Sequence, residues 1–295
     1  MKTQVLVIGE ALIDIVDGPG GVTEFVGGSP ANVAVGLARQ GLRTQLYTRI
    51  GTDQRGIRIA EQVAASGVGI VSASWTGAPT STARARLQPD GSAAYDFDLD
   101  WAIEAPECDA DAVHSGSIAL FLDPGGDVAL TALEQAAHEG RLVTVDPNIR
   151  PALVGDREVA LRRFWRAAAA ADLLKLSDED AAWLFPGRIP EEVLPDLAGR
   201  GPRIVVMTQG GEGAMAYGPG GLVNVPAWPV HVTDTIGAGD AYMASLIASA
   251  LDDAELFEQE AALERAMRRA AVAAGITVSR AGANPPTRAQ IDALL

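Results

Sequence analysis

The sequence predicts an α/β fold: a mostly parallel sheet flanked by helices, with a small β lid. Three observations carry that reading. Short apolar runs alternate with helical patterns along nearly the whole chain, the signature of a parallel sheet. Glycines and polar residues gather directly after those runs, where an open α/β sheet binds its ligands. Residues 80–100 break the rhythm with apolar residues at every second position on both sides of Pro89-Asp-Gly91, a hairpin pattern. No repeat, low-complexity tract or linker separates two halves. The expectation is a single domain over residues 1–295, with lid segments near 10–27 and 75–105.

Val5 to Ile8 is a buried strand running into Gly9-Glu10 and then Asp14. Gly27-Gly-Ser-Pro-Ala-Asn32 feeds a helix over Val33 to Gly41, with Pro30 suited to its first turn and Gly41 to its stop. Thr44 to Ile50 is strand-like, and Gly51-Thr-Asp53 with Gly56 opens a helix to about Ser66. In the hairpin, Arg84 and Arg86 alternate with Ala83, Ala85 and Leu87. Opposite them, Asp96, Asp98 and Asp100 alternate with Tyr95, Phe97 and Leu99. Strand, helix and strand resume at 113–118, 126–139 and 142–145, ending in Asp146-Pro-Asn-Ile-Arg150. A helix over 156–170 precedes the strand 173–176 and Ser177-Asp-Glu-Asp180. The strand 203–207 runs into Thr208-Gln-Gly-Gly-Glu-Gly213, and helices after Asp240 and over 256–278 finish the chain.

Composition narrows the classes. The 295 residues are 48% hydrophobic and can bury a large core, yet no apolar run is long enough to span a bilayer, and no opening h-region with a cleavage site is seen. Cys108 is the single cysteine, which fits a reducing cytoplasm. A net charge of −15 argues against nucleic acid as a partner. The lysines are Lys2 and Lys175 alone, so a phosphate-binding cation is expected to be arginine. No G-x-x-x-x-G-K-[ST], protein-kinase set or Rossmann glycine motif occurs, and His114, His138 and His231 are too scattered for a metal cluster or a triad.

The chemistry therefore falls to glycine turns and carboxylates. Asp234-Thr-Ile-Gly-Ala-Gly-Asp240 opens directly into the helical run from Ala241 to Leu251. A glycine turn at a helix start leaves the first N–H groups unpaired at the positive end of the dipole, which suits a phosphate. Asp240 stands beside that cradle, and an anion cradle with a carboxylate is what phosphoryl transfer to a hydroxyl needs.

On these residues the chain resembles the PfkB, or ribokinase-like, carbohydrate kinases over essentially its whole length. Residues 27–41 resemble the family's first signature and 234–244 its second; Gly51-Thr-Asp53, Asp146-Pro-Asn-Ile-Arg150 and Thr208-Gln-Gly210 resemble lesser landmarks. The resemblance implies a ribokinase-like three-layer sandwich with a β lid over the sugar, and ATP with Mg2+, joined by a monovalent cation such as K+. It implies Asp240 as the base and the amides of Gly237, Ala238, Gly239 and Asp240 as the anion hole. Asp14, Gly27, Gly28 and Asn32 match sugar positions, with Asn148, Arg150 and a lid arginine, Arg86, as further substrate contacts. Ser177, Thr208, Gly210, Gly213, Ala271 and Ala274 lie where the family holds the nucleotide. Asp180 is the indirect magnesium residue, in a segment that departs from the family's N-x-x-E motif by placing serine at 177. Among substrates, fructose leads, with 2-keto-3-deoxygluconate as the alternative; a nucleoside kinase and a non-catalytic sugar or nucleotide sensor rank lower. The expected partners are a small sugar and ATP in a cytoplasmic homodimer, without membrane or nucleic acid.

Overall fold

The computed structural model describes residues 4–18, 21–87 and 93–295. Among them the strands form a nine-stranded sheet, a four-stranded sheet and a two-stranded ribbon, with ten α-helices. The chain opens with β1 (Gln4–Ile8), β2 (Leu12–Gly18), β3 (Gly21–Gly27), α1 (Ser29–Arg39) and β4 (Arg43–Tyr47). Next come β5 (Ile50–Gly51), α2 (Gln54–Ala64), β6 (Gly69–Ile70), β7 (Trp75–Thr76), β8 (Thr82–Leu87) and β9 (Ala93–Asp98). β10 (Ala112–Gly116), α3 (Gly125–His138), β11 (Leu142–Asp146), α4 (Pro151–Val154), α5 (Arg157–Ala170) and β12 (Leu173–Ser177) follow. The rest is α6 (Asp178–Leu184), α7 (Pro190–Ala198), β13 (Ile204–Thr208), β14 (Ala214–Gly218), β15 (Gly221–Val225), α8 (Ala238–Asp252), α9 (Glu260–Val278) and α10 (Arg288–Asp292).

The large sheet runs β15-β14-β13-β12-β11-β10-β1-β4-β6, parallel except for β14 and β15 at one edge. Alternation along β1 shows why its apolar run is continuous: Val5 and Val7 pack into one core with α1, α2, α8 and α9. Leu6 and Ile8 pack into another with α3, α5, α6 and α7. Both faces of the sheet are thus covered, giving the three layers expected. Strand β1 lies between β4 and β10, so connections leave it in opposite directions and open a crevice at its carboxyl end. Helices α1 and α8 pack closely there. A side chain at Gly36 would come 2.7 Å from the Ala244 Cβ, so glycine lets the bodies of the two helices pack side by side.

The small sheet runs β3-β2-β8-β9. Its β8–β9 pair is the hairpin read from the sequence, although the turn Pro89-Asp-Gly91 lies outside the described residues. The hairpin does not stand alone: β8 pairs in parallel with β2, whose Ile13 and Ile15 are buried in the core. An isolated hairpin is marginal in water, and β2 supplies the support that a second subunit would otherwise have to give. Strands β14 and β15 go beyond the strands expected from the sequence, because the glycine-rich segments that flank them hide the strand pattern. Helix α7 is likewise additional: Pro195 stands inside it, where proline normally ends a helix.

Candidate active site

The crevice is built by strand ends and two helix starts. Gly28 caps α1 at φ 107°, and a Cβ there would run into the Glu10 carbonyl, so only glycine brings α1 this close to the end of β1. The neighbouring Gly27 leaves room for the Asp14 carboxylate, which a side chain at 27 would overlap. Gly237 caps α8 in the left-handed region at φ 77°. Ala238, Gly239 and Asp240 are then the first helical residues, whose N–H groups lack a carbonyl one turn back within the helix; that of Ala238 bonds the Thr235 carbonyl at 3.3 Å instead.

Asp240 links the two helix starts. Ser29 donates its hydroxyl to Oδ1 at 2.6 Å, and Asn32 donates its amide Nδ2 to Oδ2 at 2.8 Å. Burial pushes the Asp240 carboxyl above the usual carboxylate value; those two hydrogen bonds and the charges of Lys175 and Arg150 hold it back. Once ionised, such a group is a stronger base toward a hydroxyl proton than a free carboxylate. Asn32, expected to face a sugar, thus spends one amide proton on orienting Asp240. Asp14 is also raised, by burial, with Arg150 opposing. Arg150 is exposed at the start of α4, and its charge acts on Glu10, Asp14 and Asp240 together. Asn148, in the same loop, holds a left-handed backbone at φ 36°, a strained conformation for a non-glycine residue.

The residues expected around the nucleotide lie along the neighbouring strand ends. Thr208 ends β13, half-buried, and Gly210 and Gly213 bound the turn that follows it. Ala271 is buried and Ala274 half-buried on α9; Ala271 lies one turn before Gly275, against which Trp228 packs. Ser177 and Asp180 form a capping box on α6. The Ser177 hydroxyl accepts from Asp180 N, while Asp180 Oδ2 accepts from Ser177 N at 2.9 Å. Its Oδ1 accepts from Ile149 N at 2.6 Å. Asp180 therefore ties the 146–150 loop to β12, and a direct magnesium role loses its free oxygens. Among the described residues no group of three or more His, Cys, Asp or Glu could hold a metal ion.

Arg86 is not brought to this crevice. Register places Ile15 beside Arg84 and Asp17 beside Arg86, so both arginines share the face of Ile13 and Ile15, opposite Asp14. Arg86 pairs with Asp96 at 3.4 Å and Arg84 with Asp17 at 3.6 Å. His114 is core: burial pushes it down to about 3, and it bonds the Thr144 hydroxyl. A cavity of about 270 Å³ lined by Leu6, Ile8, Cys108 and α3 lies on the α3 side of the sheet.

Three residues with no role in the sequence reading stand in the crevice: Ser29, Glu10 and Lys175. The signal for the last two was a single charged residue inside or just after an apolar strand. Glu10 takes a hydrogen bond from Ser117, yet its Oε2 has no partner among the described residues. Burial pushes its carboxyl from 4.5 up to about 7. The folded protein therefore holds a proton that the unfolded chain releases above 4.5. That contribution to stability is complete below 4.5 and is lost as pH rises through about 7. Glu10→Gln should accordingly gain thermal stability relative to wild type as pH goes from about 5 to 8, by up to a few kcal/mol. Thermal unfolding at the two pH values checks this; a difference independent of pH would refute it.

The sequence matches the model of the pfkB family of carbohydrate kinases over residues 2–290. A fructokinase of Rhizobium leguminosarum bv. trifolii is 33% identical over 280 residues, 90% of this chain and 85% of that protein. The crystal structure of fructokinase from Vibrio cholerae O395, in fructose, ADP and calcium ion bound form, superposes with a TM-score of 0.86 at 26% identity, covering 100% of this chain and 99% of that one. Fructokinase with bound ATP from Xylella fastidiosa gives 0.84 at 26% identity, covering 100% and 98%. The protein belongs to the pfkB family of carbohydrate kinases.

Proposed function

We propose that this protein is a fructokinase, moving a phosphoryl group from ATP to a hydroxymethyl group of fructose. The observation that carries the reading is Asp240, held by Ser29 and Asn32 at the junction of two helix starts and within the first turn of α8. ATP, bound with magnesium, supplies the transferable group. The nest of Gly237, Ala238, Gly239 and Asp240 meets its negative charge with backbone donors, the arrangement that stabilises developing charge best. Asp240 accepts the hydroxyl proton as the new P–O bond forms. Asp14 and Asn32 orient the sugar's hydroxyls, with Gly27 making room for the Asp14 carboxylate and Gly28 for the close approach of α1. Thr208, Gly210, Gly213, Ala271 and Ala274 line the nucleotide side, where the Ser177 hydroxyl keeps its proton to donate. Magnesium fits as an ion carried chiefly by the phosphates, since it binds through few protein carboxylates and retains water.

A neutral sugar is favoured because the lid arginines face away from Asp14 and are already paired. 2-Keto-3-deoxygluconate is the second reading, and Arg150 is the observation behind it: a carboxylate needs a cation, and this guanidinium's charge reaches Asp14. The test is ATP consumption over a sugar panel with magnesium and potassium present, and kcat/KM for fructose beside the keto-deoxy acid. Fructose should lead, and Arg86→Ala should change its kcat/KM by less than about twofold, as for an exposed, screened pair. A preference for the acid beyond about tenfold, lost on Arg150→Ala, would transfer the assignment.

A homodimer in the cytoplasm completes the reading. Phe25 is more than half exposed on the face of the small sheet that carries Asp14, and an apolar side chain so placed suits a partner surface. Among the described residues no helix is long and apolar enough to cross a membrane. Light scattering at micromolar concentration should give twice the chain mass; a monomer there would reject the dimer.

A further inference from the structure

Lys175 is a lysine in the middle of an apolar strand. Leu173, Leu174 and Leu176 around it on β12 are fully buried, and Lys175 itself is 4% exposed. Its Nζ lies 2.6 Å from Oδ2 of Asp146, which is 1% exposed. Two desolvated charges stabilise a fold no better than apolar residues of the same volume, so folding alone gives no reason for this pair. Its position does. A Cβ built on Gly239 would stand 3.0 Å from the ammonium, which places the charge directly behind the second residue of α8. The pair is also unbalanced, because Asp146 Oδ1 has no partner among the described residues.

We infer that Lys175 is a positioning residue for phosphoryl transfer: its ammonium, clamped by Asp146 behind the Gly239 peptide, sets the positive field at the start of α8. The inference rests on the kinase reading above. That field adds to the helix dipole at the nest, steadying negative charge on the group being transferred. It also keeps Asp240 ionised. The groups that bear on Asp240 are Ser29 and Asn32 from α1, Glu10 after β1, Asp146 and Arg150 after β11, and Lys175 itself. Ser29 and Asn32 are neutral, Glu10 and Asp146 can only add negative charge, and Arg150 is exposed. Lys175 is the buried cation of the set, with Asp180 as a further carboxylate in its field.

The test uses Lys175→Met, Asp146→Asn and the double variant, with kcat, KM, thermal unfolding, ADP affinity by calorimetry and the Asp240 titration by carbon NMR. Lys175→Met should lower kcat at least about thirtyfold while KM for fructose stays within about threefold, the mark of charge needed mainly in the transition state. Its acid limb and the Asp240 titration should both move to higher pH, and ADP should bind more weakly. Asp146→Asn, which leaves the ammonium in place, should lose less than about fivefold in kcat, with the acid limb moved down. Lys175→Met leaves Asp146 buried and unpaired and is expected to be unstable. The double variant removes both charges, so it should regain thermal stability yet keep the low kcat. A double variant with wild-type kcat would make the pair purely structural and overturn the inference, as would an unmoved Asp240 titration. A wild type inactive on every sugar would instead overturn the kinase reading, and this inference with it.

Discussion

Asp240→Asn is expected to fold normally and to lose at least about a hundredfold in kcat, since general-base help is worth about 10² to 10⁴ in rate. The fold should survive because the hydrogen bonds can be redrawn. Asn32 Nδ2 can donate to the new amide oxygen, and the Ser29 hydroxyl, which rotates freely, can accept from the new NH2. The variant also loses a buried carboxylate whose ionisation burial opposes, so no stability is forfeited on that account. Nucleotide affinity should hold or rise, because one negative charge beside the anion nest is gone. Steady-state kinetics with calorimetric ADP binding checks both halves. Near-normal turnover would take the proton-accepting role away from Asp240.

Gly237→Ala should cost stability and catalysis together. Alanine in the left-handed region pays about 1 to 2 kcal/mol at φ 77°. Its Cβ would also lie 2.7 Å from the Ala283 Cβ and 3.0 Å from the Ala283 Cα, so a backbone segment would have to shift. Either the 281–284 loop moves or the nest rotates, and rotation carries the Ala238, Gly239 and Asp240 donors away from the developing charge. A displaced donor set should lower kcat at least about tenfold, by analogy with the loss of one anion-hole donor. The melting temperature should fall by a few degrees, as about 2 kcal/mol does in a chain this long. A variant that matches wild type in both would show that the nest tolerates a side chain and is not the anion hole.

The two predictions draw on residues legible to different degrees. Asp240 and the glycines before it stand out in the sequence because a glycine turn opening into a helix is a local pattern, complete within a dozen residues. The hairpin pattern of 82–98 and the strand of Val5–Ile8 are local too, and both appear in the structure. Ser29 reaches Asp240 across 211 positions of sequence, and no spacing rule connects them. Lys175 is visible in the sequence only as an isolated charge in an apolar run; its partner Asp146 and its place behind Gly239 come from strand order.

By itself, then, the sequence determined the alternation of strands and helices, the two glycine-opened helix starts and the carboxylate at one of them. These follow from side-chain period and backbone freedom, properties that act over a few residues. Which face of the lid its arginines occupy was decided by tertiary pairing. Residues two apart share a face in any register, but which face meets the crevice depends on the strand they pair with, and β2 turned Arg84 and Arg86 toward Ile13 and Ile15. The structure likewise decided the work of Asn32 and Asp180. An amide or a carboxylate bonds whichever donor or acceptor packing brings within about 3 Å, and here those were Asp240 and two backbone N–H groups.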